Sequence, residues 1–158
     1  MKILVVNPGA TSTKVAVFDE ETELYKETIS HPPEELAGFA HVTDQLDYRL
    51  ELVLGALSRA GYSPTDFTAV CGRGGLLRHI ESGTYEVSDK VIQDVMHPPY
   101  GEHASNLGVL LARALTALAD NGAKAYFVDP VSVDELTEVA HVSGCKGMQR
   151  ESFFHALN

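Results

Sequence analysis

Two short apolar runs separated by a polar turn constrain the fold of this chain more than any other feature. The runs are Ile-Leu-Val-Val at 3–6 and Val-Ala-Val-Phe at 15–18, and most residues between them are Asn, Gly, Thr or Ser. Continuous apolar runs of this length, bounded by turn residues, are typical of buried central strands. We therefore predict strands over 2–7 and 14–19, joined by a tight polar turn.

The turn carries the groups that a polyphosphate needs. A loop of small residues exposes backbone N–H groups and hydroxyls to a ligand, and Lys14 adds a positive charge at the start of the second strand. The sequence is not a Walker A loop, because that motif ends in Gly-Lys-Ser/Thr and leads into a helix. An ordinary β-hairpin turn favours the same residue types and is the alternative.

The composition indicates one globular domain and argues against two classes of partner. The chain has 158 residues, of which 44% are hydrophobic and 22% charged, and its net charge is -10. Such an acidic chain favours neither nucleic acid, whose phosphates need clustered Lys and Arg, nor an anionic membrane surface. Only two cysteines occur, and no apolar run approaches the length of a membrane span. We therefore predict a cytoplasmic protein.

The rest of the chain alternates between helical and strand patterns. Apolar residues recur at helical spacing within 45–60, with Asp44 placed to cap this helix and Gly61 to end it. Asn121-Gly122 is expected to end the longest helix. The predicted elements after the first two strands are a strand at 23–30, a helix at 45–60, a strand at 67–71, helices at 88–96 and 103–119, a strand at 125–129 and a short helix near 132–138. This order predicts a mixed α/β sheet with flanking helices.

Several segments, taken in chain order, resemble the butyrate kinases of the acetate and butyrate kinase family. They are residues 7–14 (NPGATSTK), 71–77 (CGRGGLL), 83–87 (GTYEV), 101–108 (GEHASNLG), 128–131 (VDPV) and 152–158 (SFFHALN). The resemblance implies the ribonuclease-H-like domain of the actin, Hsp70 and sugar-kinase superfamily. Members of the family are longer and have two such domains. Residues 1–158 would therefore be the N-terminal acetokinase-type domain, without the C-terminal one.

The resemblance implies ATP-dependent phosphorylation of a short-chain carboxylic acid, butyrate or a branched relative, to an acyl phosphate. ATP and Mg²⁺ would be the cofactors, and this chain would supply one wall of a cleft between two domains. An acetate or propionate kinase is the alternative within this class. The alternative outside it is a non-catalytic fragment that only binds phosphate or oligomerises.

The resemblance also assigns roles to individual residues. The cofactor-binding residues would be Asn7, Gly9, Thr11, Ser12 and Lys14. The catalytic residues would be Arg73, His103 and Asp129, and Asp129 with Asn7 would hold Mg²⁺.

Each of these assignments has a physical reason and a structural alternative. Glycines on both sides of Arg73 would let the backbone approach a ligand, but a surface arginine in a tight turn has the same sequence. His103 would offer a donor at a helix start or simply cap the helix. Asp129 ends a predicted strand at the edge where α/β sheets bind ligands, or it caps the next short helix. Lys14 is otherwise a solvated lysine at a strand edge.

Two further expectations concern the surface. A domain built to pack against another one leaves apolar side chains uncovered, which allows a homodimer through the surface around Phe153 and Phe154. His31 follows a strand directly and is expected at the surface, as are the other loop histidines.

Overall fold

The computed structural model describes residues 1–153, which form a six-stranded sheet with helices packed against it. The strands are β1 (Lys2–Pro8), β2 (Ser12–Asp19), β3 (Thr22–Ser30), β4 (Ala69–Arg73), β5 (Thr84–Glu86) and β6 (Lys124–Val128). The α-helices are α1 (Pro33–Leu36), α2 (Leu46–Arg59), α3 (Asp89–Met96) and α4 (Leu107–Ala119). Short 3₁₀ turns at Thr43–Gln45, Pro64–Asp66 and Ala104–Asn106 precede α2, β4 and α4. The predicted mixed α/β sheet with flanking helices is confirmed.

The strands lie in the order β3-β2-β1-β4-β6-β5. The first three form an antiparallel meander, whereas β4 and β6 run parallel to β1. The short strand β5 pairs antiparallel with β6 at the edge of the sheet. Because β1, β4 and β6 are parallel neighbours, their carboxyl ends meet at one edge of the sheet.

The core lies between the helices and one face of the sheet. Leu4, Val6, Val15 and Val17 are fully buried, and the residues between them along β1 and β2 are only partly buried or exposed. This alternation with a period of two means that one face of the sheet packs inward. Eight of the 13 residues of α4 are buried, so this helix runs through the core rather than over its surface.

Three regions differ from the elements predicted from the sequence, and the first is the short helix α1, which was not predicted. Residues 84–86 form the strand β5, which the sequence did not indicate, and residues 132–138 form no helix. Instead, Val133 makes an isolated parallel bridge with Ile80. The hydroxyl of Ser132, which is fully buried, accepts the N–H of Leu77 at 3.2 Å. This segment therefore obtains its hydrogen bonds from the loop at 77–80 rather than from a helix.

The ends of the helices also differ in part. The carboxylate of Asp44 accepts the N–H of His41 at 2.9 Å and does not cap α2. Gly61, with φ of 80°, follows the end of α2 as predicted. Asp120, in the left-handed conformation at φ of 46°, ends α4 one residue before the predicted Asn121-Gly122 stop.

Phe153 packs within its own chain. Its ring centroid lies 5.0 Å from that of His79 and 4.7 Å from that of Tyr100. Phe154 lies outside the described residues, so a homodimer through this surface stays a prediction. Among the helices of residues 1–153, none has the length and apolar character needed to cross a membrane.

Candidate functional site

Paired strands bring four of the predicted site residues into a row at one edge of the sheet. Lys14 is paired with Asn7 across β2 and β1, and Arg73 is paired with Val128 across β4 and β6. The parallel register of β1 and β4 continues the row from Asn7 to Arg73. Asp129 follows Val128 directly. The carboxyl edge of parallel strands is the usual place for a ligand in an open α/β sheet.

The turn between β1 and β2 directs its carbonyl groups into the protein. The N–H of Gly9 donates to the carbonyl of Ser12 at 2.7 Å, and the N–H of His31 donates to the carbonyl of Thr11 at 2.8 Å. Ala10 and Thr11 are exposed, and their N–H groups have no acceptor within residues 1–153. The turn therefore presents two N–H donors to its surroundings. The carbonyls of Thr11 and Ser12 are already hydrogen-bonded within the protein.

Arg49 lies behind this turn and is a site residue that the sequence analysis did not single out. It is 1% exposed, and its Nη1 donates to the carbonyl of Gly9 at 2.8 Å and to the hydroxyl of Thr13 at 3.1 Å. Its Nη2 donates to the carbonyl of Ala10 at 3.2 Å. Burial lowers the pKa of the guanidinium. The sequence did indicate that Arg49 could be buried, because it lies three residues after Leu46, on the apolar face of the predicted helix.

His31 is buried beside Arg49, and its predicted surface position is wrong. It is 2% exposed, and its Nε2 lies 2.8 Å from the hydroxyl oxygen of Thr13. That oxygen accepts from Arg49, so its own hydrogen can donate to Nε2, which places the ring proton on Nδ1. Nδ1 has no hydrogen-bond partner among the described residues. Burial, together with the charge of Arg49, lowers the pKa of His31 to about 4, so the ring is neutral at neutral pH.

Asn7 and Lys14 lie on the other face of the strands. Val6 and Thr13, their chain neighbours, are buried on the helix side, and side chains alternate along a strand. Lys14 is exposed and has no carboxylate within ion-pair distance in the part of the chain that the structure describes. The turn thus has Arg49 behind it and an accessible ammonium group in front.

Packing within the protein explains the glycines on both sides of Arg73. A Cβ on Gly72 would lie 2.1 Å from the carbonyl oxygen of Gly108, and one on Gly74 would lie 2.6 Å from Pro130. Packing therefore gives these glycines a structural reason, and their predicted role in letting a ligand approach stays a prediction. They allow the start of α4 and the chain after β6 to contact the backbone next to Arg73.

Asn106 fixes the loop that follows Arg73. Its side chain is buried, and its Oδ1 accepts the N–H of Leu76 at 2.6 Å. A Cβ on Gly75 would lie 2.3 Å from the same Oδ1, so only glycine allows this close approach. The loop and the turn before α4 are thereby held together.

His103 immediately precedes the 3₁₀ turn at Ala104–Asn106 and caps it, and its side chain is exposed. Its Nδ1 accepts the N–H of Ser105 at 3.2 Å and lies 2.6 Å from the hydroxyl oxygen of the same residue. In the neutral ring this leaves the proton on Nε2, available to a ligand. The neighbouring Glu102 accepts from the ring of His41 at 2.8 Å, which anchors the loop. The capping role and the donor role use different nitrogens, so the two are compatible.

Asp129 is held by Gly83, not by a following helix. Its Oδ1 accepts the N–H of Gly83 at 2.8 Å, and its own N–H donates to the carbonyl of Gly83 at 3.2 Å. Its φ is 41°, a left-handed conformation that Asp tolerates better than most residues. Since residues 132–138 form no helix, the alternative role as a helix cap is wrong. The second carboxylate oxygen has no hydrogen-bond partner among residues 1–153.

The oxygen ligands available at this edge fit a magnesium ion that is bound mainly by phosphates and water. Within the described residues, no group of three or more His, Cys, Asp and Glu side chains is placed to hold a metal by itself. Mg²⁺ commonly keeps several waters and takes one or two carboxylates together with substrate phosphates. Asp129 supplies one such carboxylate at this edge, because its second oxygen has no hydrogen-bond partner among residues 1–153.

Comparison with solved structures shows what kind of fold this is. The acetate kinase of Porphyromonas gingivalis superimposes with a TM-score of 0.62 at 18% identity, over 98% of this chain. The acetate kinase of Entamoeba histolytica gives 0.53 at 13% identity over 93% of the chain. The propionate kinase of Francisella tularensis gives 0.52 at 12% identity over 92% of the chain. The fold is the mixed α/β domain of the actin, Hsp70 and sugar-kinase type, as it occurs in these kinases.

The similarity is limited to part of each kinase. This chain spans 45%, 39% and 41% of the three structures, respectively. No model of a known protein family matches the sequence.

Proposed function

We propose that this chain forms part of a carboxylate kinase that transfers a phosphoryl group from ATP to a short-chain acid. The observation that carries the proposal is the row of Lys14, Asn7, Arg73 and Asp129 at the carboxyl edge of the sheet. Cations, amide donors and one carboxylate at this edge are what a phosphate–metal complex requires. The similarity of the fold to acetate and propionate kinases supports the same class of reaction.

The proposed reaction brings two anions together, so the site must neutralise charge and align the reacting oxygens. A carboxylate oxygen attacks the terminal phosphorus, the bond from that phosphorus to the bridging oxygen breaks, and ADP leaves. Lys14 and the N–H groups of Ala10 and Thr11 would bind phosphate oxygens. Arg73 would hold the carboxylate or the transferring group, and the Nε2–H of His103 would donate to it.

Bound Mg²⁺ supplies positive charge to the phosphate oxygens, and Asp129 and Asn7 would hold it. Asp129 is well suited because the Gly83 N–H fixes one of its oxygens while the other remains available. A group that hydrogen-bonds to a metal-binding carboxylate, as the Gly83 N–H does here, fixes the orientation of that carboxylate.

Butyrate or a branched-chain relative is the proposed acid, on the resemblance of residues 71–77 and 101–108 to butyrate kinases. Acetate or propionate is the second candidate, because the three solved structures are kinases of these acids by name. A non-catalytic fragment that only binds phosphate or oligomerises is the third candidate. A cytoplasmic location is part of the same proposal.

The test is acyl phosphate production by a protein that contains this chain together with a second domain. Acyl phosphate is trapped with hydroxylamine, with butyrate, isobutyrate, acetate and propionate compared as substrates. Lys14→Met should lower kcat/KM by about 10²-fold or more, as loss of a charge-stabilising group typically does. Lys146→Met removes another exposed lysine and is the matched control. Absence of product from all four acids, or full activity of Lys14→Met, would contradict the proposal.

A further inference from the structure

Arg49 is a buried cation whose hydrogen bonds all go to neutral oxygens. The guanidinium is bonded to backbone carbonyls, the hydroxyl of Thr13 and the amide oxygen of Gln45, at 2.8 to 3.4 Å. Within residues 1–153 it has no carboxylate at ion-pair distance. A buried charge is normally paired with an opposite charge or a bound ion, because its transfer from water is costly. The positive charge behind the turn therefore lacks its counterpart.

The turn in front of Arg49 has hydrogen-bond donors that could bind an anion of opposite charge. The carbonyls of residues 9–12 all accept hydrogen bonds from the protein, from Arg49, Gly9 or His31. The exposed N–H groups of Ala10 and Thr11 are left without acceptors in the described structure. An anion bonded to these N–H groups would lie roughly 7 Å from the guanidinium, across one peptide unit.

We propose that Arg49 is the built-in counter-charge of an anion bound by the turn at residues 9–12. It acts as a positioning residue: it holds the carbonyls inward and supplies positive charge without touching the anion. The proposal rests on the proposed function in taking the anion to be a phosphate group of the nucleotide. Arg49 would therefore raise the affinity for phosphate from behind the turn, whereas Lys14 would contact the phosphate directly.

The rival explanation is that Arg49 only holds the turn in shape. The two explanations differ for a lysine at this position. Lysine keeps the charge but replaces the five N–H donors of arginine with three on a single nitrogen. If charge matters, Arg49→Lys should keep most of the affinity for phosphate and Arg49→Met should lose it. If only shape matters, the two variants should lose affinity together.

The experiment uses the 158-residue chain with pyrophosphate as the probe. Binding is measured by calorimetry at low and at moderate salt for wild type, Arg49→Lys, Arg49→Met and Lys14→Met. Arg59→Met is the matched control, since Arg59 is an exposed arginine on the same helix. A unit charge at this distance is expected to be worth at least about tenfold in affinity, so Arg49→Met should bind at least tenfold more weakly than Arg49→Lys. The Arg59→Met chain should bind like wild type.

Amide NMR of the wild-type chain covers the case in which Arg49→Met does not fold. Pyrophosphate should then shift the Ala10 and Thr11 amide signals and the Nε–H signal of Arg49, and an unshifted Arg49 signal would overturn the inference. Equal binding by wild type and a folded Arg49→Met would overturn it while leaving the phosphate site of the proposed function intact, provided that Lys14→Met binds more weakly. Equal losses in Arg49→Lys and Arg49→Met would reduce Arg49 to a structural role. A wild-type chain that does not bind pyrophosphate at all would remove the turn as a phosphate site.

Discussion

At the scale of single residues, His31 ties the stability of the β1–β2 turn to pH. Its pKa is lowered to about 4 in the folded chain, from 6.5 for an ordinary histidine. Between these values the unfolded chain binds the proton and the folded chain does not. The free energy of unfolding is therefore unaffected by the titration of His31 above pH 6.5. It falls on acidification toward pH 4, with a slope of up to about 1.4 kcal/mol per pH unit.

His31→Gln should remove this pH dependence, because glutamine can bond to Thr13 but does not titrate in this range. The measurement is urea unfolding of both chains at pH 7 and pH 5. Wild type should lose more stability than His31→Gln between the two pH values. An identical loss in both chains would show that His31 is not the titrating group.

His103 is the residue whose proposed role is specific to the transition state. Its Nδ1 is occupied by Ser105, which leaves Nε2–H as the donor. In an active protein that contains this chain, His103→Ala should lower kcat by about 10²–10³ with little change in KM. The exposed His97 provides the control, since His97→Ala should leave both constants unchanged. A His103→Ala protein with unchanged kcat would exclude this residue from the site.

Residues of the candidate site could be predicted from the sequence where they belong to a local pattern. They were missed where their burial depends on contacts with distant parts of the chain. The turn, Asp129 and the loop at 71–77 all follow directly from apolar runs in the sequence. Arg49 and His31 become buried only because α2 packs across the turn between β1 and β2. Their isolated polar side chains are typical of the surface. Only the position of Arg49 on an apolar helix face hinted at burial.

At the scale of elements, two helical glycines should respond in opposite ways to alanine. A Cβ on Gly108 of α4 would lie 2.3 Å from the carbonyl oxygen of Arg73, whereas one on Gly55 of α2 would meet only the end of the Arg59 side chain at 3.5 Å. Gly108→Ala forces α4 away from β4 and should destabilise the fold by roughly 1–3 kcal/mol or more. Gly55→Ala should stabilise it by up to about 1 kcal/mol, through helix propensity.

The two variants are compared by urea unfolding, with each serving as the control for the other. Similar effects of the same sign would mean that the close approach of α4 to β4 is not needed. If Gly108→Ala folds, it should also disturb the loop that carries Arg73, which shifts in amide signals at 73–76 would reveal.

The main strands and helices were predictable because their apolar periodicity is strong, whereas β5 and residues 132–138 were not. β5 has only three residues and is stabilised by pairing with β6, a contact between segments about 40 residues apart. Residues 132–138 were expected to follow local helix propensity. Hydrogen bonds from Ser132 and Val133 to the loop at 77–80 are made instead of a helix. In both places the deciding contact is made by a distant part of the chain.

At the scale of the whole molecule, the proposed function requires a cleft of which this site would form only one wall. The row at the carboxyl edge would supply groups for phosphate and metal under that proposal, and the chain spans 45% of the Porphyromonas gingivalis acetate kinase, whose fold is similar. A wall without the opposite side leaves the reacting groups in water. Water screens their charges and allows the substrates to take many orientations. Binding of phosphate and turnover should therefore be separable properties.

We accordingly predict that the 158-residue chain alone binds pyrophosphate but forms no acyl phosphate from butyrate and ATP. The comparison is a longer protein that contains this chain and a second domain, assayed with hydroxylamine trapping under the same conditions. Because alignment of two bound reactants is typically worth several orders of magnitude in rate, the isolated chain should be at least roughly 10³-fold slower, and undetectable in practice. Lys14→Met of the longer protein serves as the inactive reference. Robust turnover by the isolated chain would show that these 158 residues already enclose both reactants, and the row at the sheet edge would then be a complete active site rather than one wall of it.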